Sequence, residues 1–436
     1  MAGERHHQSG AAGNGLLIDP APVAGTAAGW RNVWALPGST AVVVAVIYTW
    51  QRVLPLILRE QGASDFEIGL SFTLFTIASA LPQLLGGILA DRAGRKPVIV
   101  IPTALAGIIY LAIAWSRGWV LIVVLLALIS ALSAIQMPGF VSLTAESVPA
   151  RQRGLAFAIF QLFIGLSVAV GPAVGGLLLP VAGPRWLIAA TGLSFLVIYV
   201  VRQAYLVETR PRRRAEHHAA ARPAAFDKKG LLALLALGSA VTCVPVLTVW
   251  GPFIPMFAAD VAGLTAQQIN YAFAIAPLPA VAISVWAGRL VDTWGPQRVV
   301  ALGMIGHVVA LALWVMVRGW WLAVLALLLA YTTYQLAVIA YDTLRASMAG
   351  DEARGRVLGA LGTATGIVSG LAPTAGAALM QVFGPTAPYW LAGAACVASL
   401  ALLPLLRGVS GASGPAAADP GAAGAAGAAA AREGDK

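Results

Sequence analysis

Residues 87–98 read GILADRAGRKPV, and residues 288–299 of the same chain read GRLVDTWGPQRV, 201 positions later. The same spacing relates the Arg-Gly-Trp at 117–119 to that at 318–320, without insertion or deletion. Matches at one spacing over so long a stretch indicate an internal duplication, in which each copy is one structural unit. The two stretches share glycine, aspartate and glycine at equivalent positions, which are Gly87, Asp91 and Gly94 and then Gly288, Asp292 and Gly295.

The composition indicates that this duplication lies in a membrane. Hydrophobic residues make up 59% of the chain and charged residues 11%, against about 45–50% and about 25% in soluble domains. A spanning helix needs about 20 mostly apolar residues, and segments of that length recur between short polar breaks. We predict twelve spans, at residues 38–58, 67–90, 97–115, 119–143, 154–180, 186–206, 229–259, 267–290, 298–316, 320–344, 355–382 and 387–406.

The spans fall into two sets of six, separated by a polar and basic stretch. We therefore predict an all-α membrane protein in which twelve transmembrane helices form two pseudo-symmetric six-helix bundles. Alanine, glycine and proline dominate the C-terminal end, which predicts a disordered tail. The predicted units are a cytoplasmic tail at 1–36, a bundle at 37–206, a linker at 207–228, a second bundle at 229–407 and the Ala/Gly-rich tail at 408–436.

The net charge of +10 is unevenly distributed. Loops on the side of both termini hold most of the lysine and arginine, and lysine and arginine favour the cytoplasmic side. We therefore predict a multi-pass protein of the cell (plasma) membrane with both termini in the cytoplasm. The arginine-rich run at 210–214 has no interleaved aromatic residues, so we assign it to topology and to contact with the lipid bilayer, and we expect no nucleic-acid partner.

Residues 87–96 resemble the signature loop of the major facilitator superfamily, G-x-L-A-D-R-x-G-R-K, and every diagnostic position matches. The resemblance implies the twelve-helix major facilitator fold, which normally works as a monomer. It also implies alternating access, in which the halves rock about a substrate site near the bilayer midplane.

The same resemblance implies a latch on the cytoplasmic side. Asp91 is expected to meet the start of helix 11 near residues 355–356, and Asp292 the start of helix 5 near Gly154, as anions meet helix N-termini. The alternative is a tight loop that only ends a helix. The expected gating residues are Gly87, Asp91, Gly94, Arg95, Glu146, Arg153, Gly288, Asp292, Gly295, Arg298 and Arg354.

Helix 5 contains a Gly-Pro-x-x-Gly-Gly pattern that resembles the one found in export-type branches of this superfamily. We predict a bend there, because proline removes a backbone hydrogen bond, while small-residue packing is the alternative. Drug/proton exporters of this superfamily usually carry an arginine early in helix 4, and residues 120–137 contain none. The expected bend residues are Gly171, Pro172, Gly175 and Gly176, with Pro373 and Gly376 in the second copy.

In the fold that the resemblance implies, helices 1, 4, 7 and 10 face the cavity. Arg52 could face the cavity or extend to the membrane surface. Asp342 is a candidate for ion coupling together with Arg52, or a simple ion pair with Arg345. The candidate substrate-binding residues are Tyr48, Arg52, Gln136, Gln161, Trp250, Tyr331, Tyr334 and Gln335.

These observations favour a secondary active transporter that exports an amphipathic small molecule in exchange for protons. An importer of a polar or anionic metabolite and a transport-inactive membrane scaffold are the alternatives. The chain shows no metal-ligand spacing, nucleophile elbow or phosphate-binding glycine loop, so we predict neither an enzyme nor a cofactor.

Overall fold

The computed structural model describes residues 23–80, 82–209, 228–347 and 354–406. Helices dominate this part of the chain, and we number them 1 to 12 as membrane spans, several of which have two segments. In order, they are Ala27–Tyr48 with Leu54–Glu60, Asp65–Ala80 with Pro82–Ala93, Arg95–Trp115, Trp119–Glu146, Arg153–Tyr205 (helices 5 and 6), Lys228–Thr248 with Phe253–Asp260, Ala266–Ile275 with Leu278–Trp294, Pro296–Val315, Trp320–Ser347, Arg354–Gly370 with Ala372–Phe383, and Ala387–Leu402.

The number of spans agrees with the sequence prediction. Within the described ranges, ten helical stretches are long and apolar enough to cross a bilayer, and one pair bent by 48° in helix 8 counts as an eleventh. One of the ten, Ala150–Tyr205, contains two spans, because Gly183 interrupts it with φ 74° and ψ 165°. Counting that stretch twice gives twelve spans by length and composition, and the predicted fold class is confirmed.

Helix 1 begins earlier than the sequence pattern predicts, at Ala27 rather than residue 38. The Thr26 side chain caps it by accepting a hydrogen bond from the Gly29 backbone N–H, and Trp30 and Val33 pack near the start of helix 5. Residues 27–36, assigned to the tail from sequence, are therefore part of the helix. Most of the predicted tail and linker, and all of the C-terminal tail at 408–436, lie outside the described residues.

Helices 1 and 7 are interrupted at equivalent positions of the repeat. Helix 1 changes to a 3₁₀ turn at Gln51–Val53, and helix 7 stops at Thr248 and resumes at Phe253. Adding 201 to the break at residues 49–53 gives 250–254, which overlaps the break at residues 249–252. Irregular backbone at membrane depth is tolerated where it is buried in protein or lines a cavity, so these breaks indicate where the centre of the molecule lies.

Helix 5 packs closely on its neighbours through the predicted bend glycines. A methyl group at Gly171 would meet the Ala45 carbonyl of helix 1, and one at Gly175 would meet the Thr49 carbonyl. The backbone remains helical through Pro172, and Gly183 is the residue of Arg153–Tyr205 with non-helical dihedral angles. In helix 11 the segment break falls at Leu371, just before Pro373. These glycines act in this structure through close approach rather than through a helix break.

The two halves are packed together at one end of the bundle and separate at the other. We call the end with Arg59 and Asp260 the Arg59 face, and the end with the turns at Gly94 and Gly295 the linker face. One apolar core at the Arg59 face contains residues of both halves, including Trp50, Leu58, Phe253 and Phe257. Toward the linker face the cores belong to single halves, with Leu237, Val299 and Leu344 in one and Leu36, Ile99 and Leu143 in the other.

Contacts between helix segments follow the same division. The first segment of helix 2, Asp65–Ala80, packs on the second segment of helix 11, Ala372–Phe383, and Ala266–Ile275 of helix 8 packs on the helix 5–6 stretch. Among the described residues, the segments Pro82–Ala93 and Leu278–Trp294 pack extensively only within their own halves. The structure is therefore closed at the Arg59 face, and the described parts of the two halves make few contacts at the linker face.

The packing of helix 5 predicts unequal effects for two glycines of that helix. Gly175→Ala should lower the free energy of unfolding by roughly 1–3 kcal/mol, because the new methyl group overlaps the backbone of helix 1. Gly165→Ala is the matched control, since no atom lies within 4 Å of its added methyl group. Thermal unfolding of the purified variants in detergent measures both, and equal midpoints for them would contradict the close-approach role.

Candidate substrate site and gates

Arg52 lies at the centre of the molecule, between the halves, in the 3₁₀ turn that interrupts helix 1. Its Cζ atom is 4.6 Å from the ring centroid of Tyr48, 4.9 Å from that of Trp250 and 5.0 Å from that of Phe273. We call these three rings the aromatic cage. They come from helices 1, 7 and 8, so both halves of the repeat contribute to it.

The guanidinium group of Arg52 is buried but incompletely paired. The residue is 7% exposed, and its Nε and Nη2 atoms are buried without a hydrogen-bond partner among the described residues. The Tyr331 hydroxyl is also buried and unpaired, and its ring packs edge-on against Trp250 at 6.0 Å between centroids. Arg52 therefore lies inside the bundle instead of extending to the membrane surface, next to a second unpaired polar group.

The other predicted substrate-binding residues divide into two groups. Trp250 retains 42% exposure although it covers a buried arginine, and Tyr48, Tyr334 and Gln335 are partly buried. Tyr331, Tyr334 and Gln335 share one face of helix 10 by their spacing, which places them with the cage. Gln161 lies on an exposed part of helix 5, and no described contact joins it to Arg52.

Gln136 is placed inside the first half, in a polar cluster that the sequence analysis did not foresee. Its centre is Arg202 of helix 6, which is 2% exposed and donates hydrogen bonds to Thr103 Oγ1 at 2.7 Å and to Thr40 Oγ1 at 2.8 Å. Gln136 Oε1 is 3.5 Å from Arg202 Nη1. Arg202 lies four residues from the end of its predicted span, where an arginine can also extend to the membrane interface, so its sequence position does not reveal the cluster. The cluster joins helices 1, 3, 4 and 6.

His307 has a corresponding place in the second half. It is fully buried on helix 9, with Nε2 3.2 Å from Thr248 Oγ1 of helix 7 and Nδ1 3.3 Å from Thr333 Oγ1 of helix 10. Arg202 in the first half and His307 in the second thus each tie helices of their own half together through hydroxyl partners. In the described ranges, no group of three His, Cys, Asp or Glu side chains is placed to hold a metal ion.

An ion pair on the pseudo-symmetry axis closes the Arg59 face. Arg59 of helix 1 donates from Nη1 to both carboxylate oxygens of Asp260 of helix 7, at 2.7 and 2.9 Å. The two residues are 201 positions apart and are therefore equivalent in the repeat. Identical residues there would carry like charges and repel, whereas arginine against aspartate joins the halves. Asp65 of the first half also accepts from Arg59, at 2.7 Å.

Neutral contacts reinforce this closure. Asn270 of helix 8 donates to the Thr49 carbonyl at 3.0 Å in a buried position. Thr374 of helix 11 donates to Thr73 Oγ1 of helix 2 at 2.8 Å. Gly69 allows helix 2 to approach helix 11, because a methyl group there would meet the Pro373 backbone and Ala377. The Arg59 face is thus joined by packing and hydrogen bonds as well as by the ion pair.

At the linker face the predicted latch residues contact their own half. Arg95 pairs with Asp91 at 2.8 Å and with Glu146 at 3.0 Å. The carboxylate of Glu208 accepts from the backbone N–H groups of Arg95 and Lys96 at 2.9 and 3.0 Å, which caps helix 3 and fastens the first linker residues to the signature loop. Gly94 has φ 105°, and a side chain there would also meet Glu208.

In the described part of the chain, no hydrogen bond or ion pair joins the latch residues to the opposite half in this conformation. The side chain of Asp91 is 76% exposed, and a methyl group at Gly87 or Gly288 would meet no atom within 4 Å. Asp292 and Arg298 are exposed, and Arg153 donates to the Ala145 carbonyl of its own half. Gly295 has φ 85° at the turn between helices 8 and 9. The side chain of Arg354 lies outside the described residues, and the latch stays a prediction for the opposite conformation.

Asp342 is paired as the simpler sequence interpretation proposed. Its Oδ1 atom is 2.9 Å from Arg345 Nη2, and its side chain is 52% exposed. The pair lies toward the linker end of helix 10, away from the cage. A coupling role for Asp342 remains a prediction.

A family model described as the Major Facilitator Superfamily matches the chain twice, at residues 53–253 and 236–430. The chain belongs to the major facilitator superfamily. As a member it is a multi-pass secondary transporter, and the two matches, which overlap at residues 236–253, each include most of one half.

Relatives and solved structures agree with this assignment. Enterobactin exporter EntS of Shigella flexneri is 27% identical over 300 residues, which are 65% of this chain and 71% of that protein. Its counterpart in Escherichia coli O1:K1 is 27% identical over 306 residues, or 65% and 72% of the two proteins. The nucleoside transporter NupG has the same fold, with a TM-score of 0.72, 12% identity and coverage of 86% and 99%.

A bacterial homologue of the human lysosomal transporter Spinster, solved in an inward-facing and occupied conformation, also has this fold. Its TM-score is 0.65 at 14% identity, with coverage of 87% of this chain and 95% of that one. At identities this low, the similarity to these two solved structures shows only a shared fold.

The ion pair on the axis predicts a conformational effect in this major facilitator protein. Asp260→Asn should shift the population away from the state closed at the Arg59 face by up to about fivefold, since partly exposed pairs contribute about 0.2–1 kcal/mol. Spin labels at positions 60 and 262, in a background lacking Cys243 and Cys396, would report the separation of the halves by double electron–electron resonance.

Asp65→Asn is the matched control for that measurement. It also removes one carboxylate from Arg59, but the lost partner belongs to the same half. The distance distribution should therefore stay close to that of the parent protein. A distribution unchanged in Asp260→Asn, or changed equally in both variants, would show that the pair does not hold the face closed.

Proposed function

We propose that this transporter exports an amphipathic small molecule from the cytoplasm in exchange for protons, by alternating access at the aromatic cage. The observation that carries the proposal is the position of Arg52. It lies between the halves, behind the closed Arg59 face, and the halves separate toward the linker face. A substrate bound there would be released on one side when the halves rock to close the other.

The direction of transport rests on the relatives and on the charge distribution. The similar curated proteins are named as enterobactin exporters. The lysine and arginine bias assigns the linker face to the cytoplasm, so the closed Arg59 face would be external and the state inward-facing. Gly176 of the export-type pattern on helix 5 supports export further, because it lies at the junction of the halves, where an added methyl group would meet the Tyr271 ring of helix 8.

Proton coupling is assigned to Asp342 with a contribution from Arg52. Asp342 is the acidic residue of helix 10, the helix that also carries Tyr331 beside the cage, and its ion pair with Arg345 would weaken on protonation. The lack of an arginine in residues 120–137 means that coupling in this chain would not use the helix 4 residue of related drug/proton exporters.

Everted membrane vesicles test the direction and coupling together. We expect vesicles containing the chain to accumulate enterobactin when their lumen is acidic, and to lose this accumulation when a protonophore is added. Asp342→Asn should retain equilibration of the probe but lose its dependence on the proton gradient.

Vesicles without the chain are the first control, and right-side-out vesicles are the second. Gradient-driven uptake confined to right-side-out vesicles would contradict export and support an importer. If Tyr331→Ala left both binding and transport unchanged, the cage would not be the substrate site, and a membrane scaffold would become the better interpretation.

The latch is assigned to the conformation closed at the linker face. Asp91→Asn should reduce the transport rate by roughly 2- to 30-fold without reducing the amount of inserted protein, because a carboxylate near a helix N-terminus contributes about 0.3–2 kcal/mol. Glu60→Gln, an exposed acid at the opposite face, is the control. Parental rates in Asp91→Asn, measured with the same vesicles, would argue against the latch.

A further inference from the structure

Three buried or partly buried arginines of this chain bind their partners along the Nε/Nη2 edge of the guanidinium group. The Nε–H and one Nη2–H bond point in one direction and can hold one acceptor group between them. In Arg59 both atoms donate to Asp65 Oδ1, at 3.2 and 2.7 Å. In Arg95 both donate to Glu146 Oε1, at 3.2 and 3.0 Å. Two of the arginines thus bind a carboxylate along this edge.

Arg52 differs from both on the same edge. Its Nε and Nη2 are the two atoms that are buried without a partner in the described part of the chain, and none of the ion pairs of the described residues includes it. Arginine stays protonated in proteins. A buried guanidinium with an unpaired edge is costly, and the cage rings compensate only part of that cost through cation–π contact.

The surroundings of this edge define the shape of a suitable partner. Tyr48, Trp250 and Phe273 surround the guanidinium with aromatic surface, and the unpaired Tyr331 hydroxyl adds a further donor. Trp250 lies within the interruption of helix 7, where the backbone is not helical, and is the most exposed of these rings. It is therefore the ring that a ligand would displace to reach the edge.

We propose that the Nε/Nη2 edge of Arg52 is a carboxylate-binding site and that the transported molecule is an aromatic carboxylate. Its acid group pairs with Arg52 and accepts from Tyr331, and its ring packs within the aromatic cage. The inference deepens the proposed function and rests on the cage being the substrate site. Where the proposed function says only that the substrate is amphipathic, this inference specifies its charged group, a carboxylate, and its apolar part, an aromatic ring.

Neutral acceptors are the competing possibility, because Arg202 shows that this edge can be satisfied by hydroxyls. Its Nε donates to Ser39 Oγ at 3.1 Å and its Nη2 to Thr40 Oγ1 at 2.8 Å. Those hydroxyls belong to the protein and are fixed by helix 1. At Arg52 the described protein supplies no acceptor on this edge, so the ligand must supply both the acceptor and any neutralising charge.

Matched acid and amide pairs separate these possibilities. Calorimetric titration of the full chain in lipid nanodiscs would use benzoate with benzamide, 2-naphthoate with 2-naphthamide, and indole-3-acetate with indole-3-acetamide. We expect at least one acid to bind about tenfold or more tightly than its amide, the difference expected for a hydrogen-bonded charge pair. The preference for the acid should vanish in Arg52→Gln, and Arg52→Lys should keep only part of it.

Arg185→Gln is the matched control, because Arg185 also lies over an aromatic ring, that of Trp115 at 5.4 Å, but outside the cage. It should keep the full preference for the acid. If Arg52→Gln does not fold, Tyr331→Phe tests the same site while keeping the ring, and should weaken acid binding more than amide binding. Equal binding of acid and amide throughout the panel, no binding of any acid, or a preference that survives Arg52→Gln would each overturn the proposal.

The titration requires neither a proton gradient nor a defined orientation of the protein in the membrane. A negative binding result can therefore be distinguished from a failure of export. Gradient-driven export of a neutral amphiphile without acid preference would remove this inference and leave the proposed function. Acid-selective binding without export in everted vesicles would support the carboxylate site and contradict the proposed export.

Discussion

The bilayer requires every backbone N–H and C=O group at membrane depth to be satisfied within the protein, and the rest of this structure depends on that constraint. It makes helices the default and gives meaning to each interruption. Helices 1 and 7 depart from regular geometry at equivalent positions of the repeat. Arg52 and Trp250 lie at those interruptions, so the irregular backbone and the unpaired polar groups occur together. This coincidence identifies the centre of the transporter more strongly than either feature alone.

The duplication gives the two halves similar folds, and the positions at which the two copies differ make the functional contacts. Arg59 and Asp260 are equivalent positions, and their opposite charges turn a contact on the axis into an attraction. Arg52 corresponds to Phe253, so the central cation has no counterpart in the second half. The internal ties differ as well, with Arg202 in one half and His307 in the other. Residues shared by the two copies specify two similar bundles. Residues that differ between the copies join the bundles and form the candidate substrate site between them.

The glycine pattern of helix 5 shows how far a local sequence signal reaches. It predicted either a bend or close packing, and proline and glycine favour both. In the structure the dihedral angles stay helical through Pro172, and Gly171 and Gly175 bring helix 5 close to the carbonyls of helix 1. Gln136 illustrates the opposite limit. Helix 4 was expected to face the cavity, but the buried Arg202 of helix 6 contacts Gln136 inside the first half, and no local pattern announces that partner.

By itself, the sequence determined the fold class, the number of spans, the duplication and the signature turns, because hydropathy and repeat spacing are properties of the chain read in order. It also singled out Arg52, Trp250 and Tyr331, since polar and aromatic residues in apolar helices are few. The tertiary structure alone decided which of these residues meet, that the Arg59 face is closed, and that Arg52 keeps an unpaired edge. Those facts depend on how distant helices pack, and a side chain's hydrogen-bond partners 200 residues away cannot be read from its neighbours in sequence.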